Sequence, residues 1–199
     1  MSARLLPALG AGLVSVGLAG CGGGLASPRP YLLDLEGHEA HPFQAAGAKA
    51  DVFVFVRTDC PVSNRYAPEV GRLCDEFAAR GIGFWLVYPD PKEPVETIRA
   101  HVREYAYPGI VLRDPRHDLV RMTGVRVTPE AAVFVRHGSG AKMVYRGRID
   151  DRYVDFGTMR PEPTTRDLER TLEAVLGGRR LDAKTTLAVG CFIPELRGP

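Results

Sequence analysis

An α/β sandwich built on a mixed sheet is the fold class this sequence predicts, and three observations predict it. Short apolar runs rich in β-branched and aromatic residues alternate with longer segments whose apolar residues recur at helical spacing. Two further strand-like runs, 132–136 and 143–148, flank the glycine-bearing turn His137-Gly138-Ser139-Gly140, the mark of an antiparallel hairpin. An amphipathic segment at 165–176 then closes the pattern. Strand–helix alternation calls for parallel pairs and a hairpin for an antiparallel one. A sheet holding both needs helices over its faces.

Each element follows in order. Residues 31–35 form a short extended entry, and a polar loop with His38 and His41 follows. The run Asp51-Val52-Phe53-Val54-Phe55-Val56-Arg57 reads as a buried strand over 52–57. From Ser63 onward Tyr66, Val70, Leu73, Cys74 and Phe77 share one helical face, predicting a helix over 66–79 that Arg80-Gly81 stops. Residues 82–88 are nearly all apolar, as a central strand would be. Pro89-Asp90-Pro91-Lys92-Glu93-Pro94 is a loop at the same end as residue 60. A helix at 95–105, a strand at 110–112 and a helical turn around 117–122 come next. Beyond the hairpin, 149–163 is a polar loop long enough to suggest function or ordering by partners. Thr164 or Thr165 caps the last helix and Gly177-Gly178 ends it.

A length of 199 residues permits one domain with a sizeable core plus processing segments. Charged residues are 25% and the net charge is +2, so no strongly charged partner is implied. The basic residues are dispersed among acids, which argues against nucleic acid. Arg4 precedes an apolar stretch over 5–19, broken by Pro7 and glycines and too short for a membrane span; it reads as a secretory signal. It ends Leu18-Ala19-Gly20-Cys21, which resembles the bacterial lipoprotein box, with lipid carried on Cys21. Gly22 in place of Asp then points to the periplasmic side of the outer membrane in a Gram-negative host. The expected organisation is a signal peptide at 1–20, a Gly/Pro tether at 21–30, a domain at 31–178 and a tail at 179–199 carrying Cys191.

Three cysteines remain for the folded part of an exported chain. Cys74 lies on the apolar helical face and reads as a small buried hydrophobe. Cys60, within Thr58-Asp59-Cys60-Pro61-Val62-Ser63, sits where a strand turns into a helix. Unpaired N–H groups and the macrodipole there favour a negative charge, and the thiolate is the reactive form of cysteine. Pro61 suits the first helical turn, where its missing N–H costs nothing. Ser63, one turn on, either donates to the thiolate or only caps the turn. Arg57 and Asp59 flank Cys60 and tune its acidity in opposite senses. Asp114, Asp150, Asp151 and Glu162 are expected on a solvated face rather than as acid/base pairs.

These residues resemble the thioredoxin-like superfamily, whose members carry Cys-x-x-Cys at the start of a helix after a central strand. Cys60-Pro61-Val62-Ser63 is a Cys-x-x-Ser variant of it. Gly124-Val125-Arg126-Val127-Thr128-Pro129-Glu130, followed by the strand-like 131–135, resembles the superfamily's second mark, a cis proline facing the active-site cysteine. Leu33-Asp34-Leu35-Glu36-Gly37 looks like the opening of the redoxin branch (alkyl hydroperoxide reductase/thiol-specific antioxidant-like). The resemblance covers 31–178. It implies a thioredoxin-like three-layer sandwich with a mixed central sheet, and thiol–disulfide exchange with protein or small-molecule thiols and disulfides. No cofactor is implied. Cys60 would be the nucleophile, with Thr128 and Pro129 shaping the substrate groove. The chain departs from the peroxidatic Pro-x-x-x-Thr/Ser-x-x-Cys pattern, because Phe53 and Arg57 stand at its proline and threonine positions.

The tail Thr186-Leu187-Ala188-Val189-Gly190-Cys191-Phe192-Ile193 resembles a Gly-Cys-x-Ile tail of exported redoxin-like proteins. Leu187, Val189, Phe192 and Ile193 are expected to bury against the domain, and Gly190 to permit a close backbone approach. Cys191 either resolves Cys60, staples it in a permanent disulfide, or stays unpaired. The expected function is an envelope thiol–disulfide oxidoreductase held to the membrane through lipid on Cys21 only. The rivals are a thiol peroxidase and a non-catalytic module for copper or partner binding. Copper(I) favours thiolates, but His38, His41, His101, His117 and His137 show no ligand spacing, and no metal site is expected.

Overall fold

The computed structural model describes residues 29–44, 47–138 and 140–196. The signal peptide expected at 1–20, Cys21 and the tether as far as residue 28 lie outside them. Along the chain come two short strands, β1 (Leu32–Leu33) and β2 (Glu39–Ala40), and then β3 (Ala50–Phe55). Helix α1 (Pro61–Ala78), strand β4 (Ile82–Tyr88), helix α2 (Val95–Glu104), strand β5 (Ile110–Arg113) and helix α3 (Asp118–Thr123) follow. The short strand β6 (Val127–Thr128) leads into the hairpin β7 (Glu130–His137) and β8 (Gly140–Gly147). A second hairpin, β9 (Tyr153–Asp155) and β10 (Thr158–Met159), precedes helix α4 (Asp167–Leu176). The tail adds β11 (Lys184–Thr185) and β12 (Cys191–Phe192).

Eight strands join in the order β11-β8-β7-β3-β4-β5-β1-β2. The β3–β4 and β4–β5 pairs are parallel, whereas β3–β7 and β7–β8 are antiparallel, giving the mixed sheet the sequence predicts. Strand periodicity sends alternate side chains to opposite faces. Val52, Val54 and Val56 join the core under α1, α2 and α4 with Val70, Leu73, Phe77, Ile98, Leu168 and Leu172. Phe53 and Phe55 face the other way, into a core with Phe43, Trp85, Leu119 and Phe134. Both faces of β3 are therefore covered, which is why its run is apolar without alternation. Its one charged residue, Asp51, accepts from Trp85 Nε1 at 3.0 Å and pairs with Arg136 at 2.7 Å.

Several expectations are corrected. Helix α1 starts at Pro61, a turn earlier than residue 66, because Cys60 already serves as its N-cap. Helix α4 starts at Asp167 without a side-chain cap. Thr164 and Thr165 instead donate their backbone N–H groups to Asp151 Oδ1 at 2.7 and 2.8 Å. The loop 149–163 contains the β9–β10 hairpin, pinned at its root by two acids. Asp114, Asp150 and Asp151 are buried, not solvated. Each has donors that offset the burial: Asp114 takes the Asp118 and Val120 N–H groups, and Asp150 takes the Tyr66 hydroxyl. No helix among the described residues is long and apolar enough to cross a membrane.

The tail returns across the sheet. Strand β11 adds to β8 in parallel, and the Thr186 N–H extends the ladder to the Arg146 carbonyl at 3.0 Å. Gly147, at φ +148°, leaves the room Thr186 needs: a Cβ there would lie 2.1 Å from the Thr186 hydroxyl. Past Thr186 the chain runs to the end of the sheet that carries Cys60.

Candidate active site

The strand-to-helix turn places Cys60 as the N-cap of α1, with φ −94° and ψ 106°, extended backbone outside the helix. Its Sγ accepts the Ser63 N–H at 3.4 Å, occupying one of the unpaired donors of the first turn. The thiol in turn donates to the Thr128 carbonyl at 3.0 Å. Thr128 and Pro129 are joined by a cis peptide bond, as the resemblance implied, and they lie directly over the cysteine. Cys60 has no exposed surface at all.

What covers it is the tail. Strand β12 pairs antiparallel with β6, setting Cys191 opposite Thr128 and Phe192 opposite Val127. The Ile193 N–H donates to the Arg126 carbonyl at 3.0 Å. Gly190 permits the approach, since a Cβ there would sit 2.1 Å from the Thr128 carbonyl oxygen. Val189 and Cys191 pack on one core and Ile193 on the other. Leu187 and Phe192 depart from expectation: they are 84% and 72% exposed. Side chains alternate along an extended segment, so Cys191 and its neighbour Phe192 cannot both face the domain.

The β12–β6 pair thus sets Cys191 against Thr128, the residue whose carbonyl the Cys60 thiol bonds to. The two acidities are split. Burial pushes the Cys60 thiol up, but the neighbouring Cys191 thiol, Ser63 and the side chain of Thr128 outweigh it and leave Cys60 more acidic than an ordinary thiol. The Thr128 carbonyl opposes them, because it accepts from the protonated form. Cys191 is pushed up to about 12, by burial and then by the neighbouring Cys60, with Asp59 adding to the rise and Arg57 working against it. One thiol is thus poised to ionise while the other holds its proton. The Ser63 hydroxyl is buried and has no hydrogen-bond partner in this resting geometry among the described residues.

Arg57 and Asp59 pair with each other at 2.7 Å, and Arg57 also donates from Nη1 to the Phe192 carbonyl at 3.0 Å. Other polar groups around the turn were not singled out from sequence. Glu93 accepts the Thr58 N–H at 2.9 Å and the Thr58 hydroxyl, with its second oxygen unpartnered among the described residues. Burial raises its pKa. Asn64 donates to the Thr58 carbonyl at 3.3 Å and accepts from His101 Nε2 at 2.8 Å. His101 Nδ1 then accepts the Tyr88 hydroxyl at 2.8 Å, and burial pushes the ring towards neutrality. The Tyr107 hydroxyl donates to the Ser63 carbonyl at 2.6 Å. The legible signal was His101, three residues from Ile98 and so on the buried face of α2.

Cys74 lies in the core, as expected of a small hydrophobe. Among the described residues no three His, Cys, Asp or Glu side chains converge as a metal site. Outside the tail runs an open groove of about 800 Å³, lined by Val127, Phe156, Leu187, Val189, Cys191 and Phe192 together with Arg126, Arg146, Glu130 and Asp155.

A sheet of this topology, with a cysteine N-cap facing a cis proline, defines a thioredoxin-like protein. Residues 27–147 match the AhpC/TSA family, and the chain belongs to that family. Two solved structures share the fold over most of their length. An uncharacterised conserved protein from Geobacillus kaustophilus has a TM-score of 0.72 at 23% identity, over 88% of this chain and 93% of that one. A hypothetical protein from Sinorhizobium meliloti has a TM-score of 0.70 at 23% identity, over 88% and 96%. A putative thiol:disulfide interchange protein DsbE from Chlorobium tepidum is also similar, with a TM-score of 0.57 at 18% identity, over 76% and 96%. No curated protein sequence matches this chain.

Proposed function

We propose that this chain is a thiol–disulfide oxidoreductase of the bacterial envelope, exported and anchored through lipid on Cys21, in which Cys60 is the nucleophile and Cys191 resolves it. The observation that carries the reading is that both cysteines meet at Thr128: Cys60 donates to its carbonyl at 3.0 Å, and the β12–β6 pair sets Cys191 opposite it. The Cys60 thiolate attacks one sulfur of a substrate disulfide, forming a mixed disulfide and releasing the other sulfur as a thiolate. In that intermediate Cys60 carries no charge, so its hold on the Cys191 proton is gone. Cys191 then loses its proton to solvent and attacks the Cys60 sulfur. The products are a Cys60–Cys191 disulfide and the second substrate thiolate; the substrate gains two electrons and the protein loses two.

Because Cys60 is covered, a substrate reaches it only when β12 shifts off β6. Thr128 and Pro129 then form the exposed floor of the groove. The similarity to a putative thiol:disulfide interchange protein supports this class of chemistry. Peroxide reduction is the weaker reading, since Arg57 at the threonine position is engaged with Asp59 and the Phe192 carbonyl.

The test uses glutathione disulfide and mass spectrometry. The parent chain is expected to end with an internal Cys60–Cys191 disulfide, whereas Cys191→Ser accumulates glutathione on Cys60 and Cys60→Ser acquires neither. A parent chain that stops at the glutathione adduct would make Cys60 a monothiol and remove Cys191 from the mechanism.

A further inference from the structure

Arg57 lies on neither reacting sulfur, yet it bonds to the strand that carries the second one. It is the last residue of the segment leaving β3, three residues before Cys60. Its side chain is largely buried, with Nη2 on Asp59 at 2.7 Å and 3.9 Å from Asp90. Its other terminal nitrogen, Nη1, donates to the Phe192 carbonyl at 3.0 Å, across 135 residues of sequence. The planar fork suits this double engagement, one arm on a carboxylate and one on a carbonyl, in a way an ammonium would not. Phe192 follows Cys191 directly, so the bond fixes the strand that presents the second thiol.

We propose that Arg57 is the positioning residue for the resolving thiol: it clamps β12 in register over Cys60 and sets a positive charge beside the Cys191 sulfur. This inference rests on the reading above and says what makes the second step possible. The resolving step needs Cys191 as a thiolate in line with the mixed disulfide, Cys60–S–S–R. The bond formed is Cys191–S to Cys60–S, and the bond broken is Cys60–S to S–R, with the electron pair leaving on R–S⁻. The Cys191 proton goes to solvent beforehand. Groups facing Cys191 are Cys60 at the head of α1, and Arg57 and Asp59 on the turn before it. Arg126, Glu130, Arg146 and Asp155 share the groove it lines. With Cys60 neutral in the mixed disulfide, Arg57 and Asp59 remain as opposed charges acting on Cys191. Each holds the other in place, so removing the guanidinium leaves Asp59 alone to oppose ionisation.

The experiment follows the two steps separately, in the full chain carrying Cys21→Ser and Cys74→Ala so that only Cys60 and Cys191 react. An excess of an aromatic disulfide with a coloured thiolate product releases one equivalent on attack by Cys60 and a second on resolution, read by stopped-flow absorbance across pH. Arg57→Gln keeps a donor for the Phe192 carbonyl and removes the charge. Arg57→Lys keeps the charge and loses the fork. In Arg57→Gln the second phase is expected to slow about tenfold, far more than the first, with its midpoint moved up by about one pH unit. Arg57→Lys should return the midpoint towards the parent value while remaining slower at every pH. Equal slowing of both phases, or an unchanged midpoint in Arg57→Gln with the fold intact by circular dichroism, overturns the proposal. Absence of any second phase in the parent chain overturns the proposed function itself, and this inference with it.

Discussion

At the scale of the residue, the site turns on how one sulfur is solvated without water. Cys60 is out of solvent, so its charge must come from fixed donors: the Cys191 thiol, the Ser63 hydroxyl and backbone N–H, and Thr128. Leaving a buried hydroxyl unpaired costs about 1–3 kcal/mol, and the resting Ser63 Oγ has no partner among the described residues. That cost has a reason if the hydroxyl is held for the thiolate, since a hydroxyl can rotate to donate when the proton leaves Cys60. The alkylation rate of Cys60 against pH should therefore show a midpoint below the ordinary thiol value of about 8.5. Ser63→Ala removes a donor to the charged form only, so the midpoint rises and the rate at neutral pH falls, by about threefold for half a unit. The same variant should melt no lower than the parent. A parent midpoint at or above the ordinary value would mean that burial and the Thr128 carbonyl win.

At the scale of the element, β12 is a two-residue strand with a large duty, and its placement depends on Gly190. A side chain at 190 collides with the Thr128 backbone, with its Cβ 2.1 Å from the carbonyl oxygen and 2.7 Å from the carbonyl carbon. Gly190→Val should therefore push β12 off β6. Hydrogen exchange at the Ile193 amide, bonded to Arg126, is expected to accelerate. Alkylation of Cys60 should speed up as its cover lifts, and internal disulfide formation should slow by up to about a hundredfold, the cost of roughly an ångström of misplacement. Disulfide formation at the parent rate would show that the strand pair does not set the geometry. This element also marks where sequence reading stops. β3, α1, β4 and the β7–β8 hairpin were legible because each announces itself through local periodicity. So was the Cys60–Pro129 pairing, through two motifs in a known order. The strands β6, β11 and β12 were not, because two-residue strands have no period and exist only through distant partners. Glu93 and Tyr107 escaped notice for a related reason: a carboxylate in a proline-rich loop and a tyrosine after a helix look solvated until the fold brings them to Thr58 and Ser63. Asp150 and Asp151 were misread in the same way, since only tertiary structure supplies the donors that bury them.

At the scale of the whole molecule, the order of strands separates the two ends of the chain. Residues 29 and 30 enter through β1 and β2 at one edge of the eight-stranded sheet, whereas the tail joins through β11 at the opposite edge. In the lipid-anchored reading proposed above, the described chain leads back towards the anchor from the edge of the sheet opposite β11. Ten residues from Cys21 to Pro30 reach about 35 Å when fully extended, so the proposed lipid on Cys21 would hold the domain, and the partners it reaches, within that distance of the membrane. Lipid on Cys21 should thus decide where the chemistry happens without altering it. Mass spectrometry of the mature protein is expected to find an acylated Cys21 at its N-terminus, and Cys21→Ser to move the chain from the membrane to the soluble fraction. Formation of the Cys60–Cys191 disulfide with glutathione disulfide should proceed at the same rate in both forms. A mature chain that begins elsewhere, or one that stays with the membrane after Cys21→Ser, would remove the anchor from this account. A rate that changes on release would show that the anchor acts on the chemistry and not only on its location.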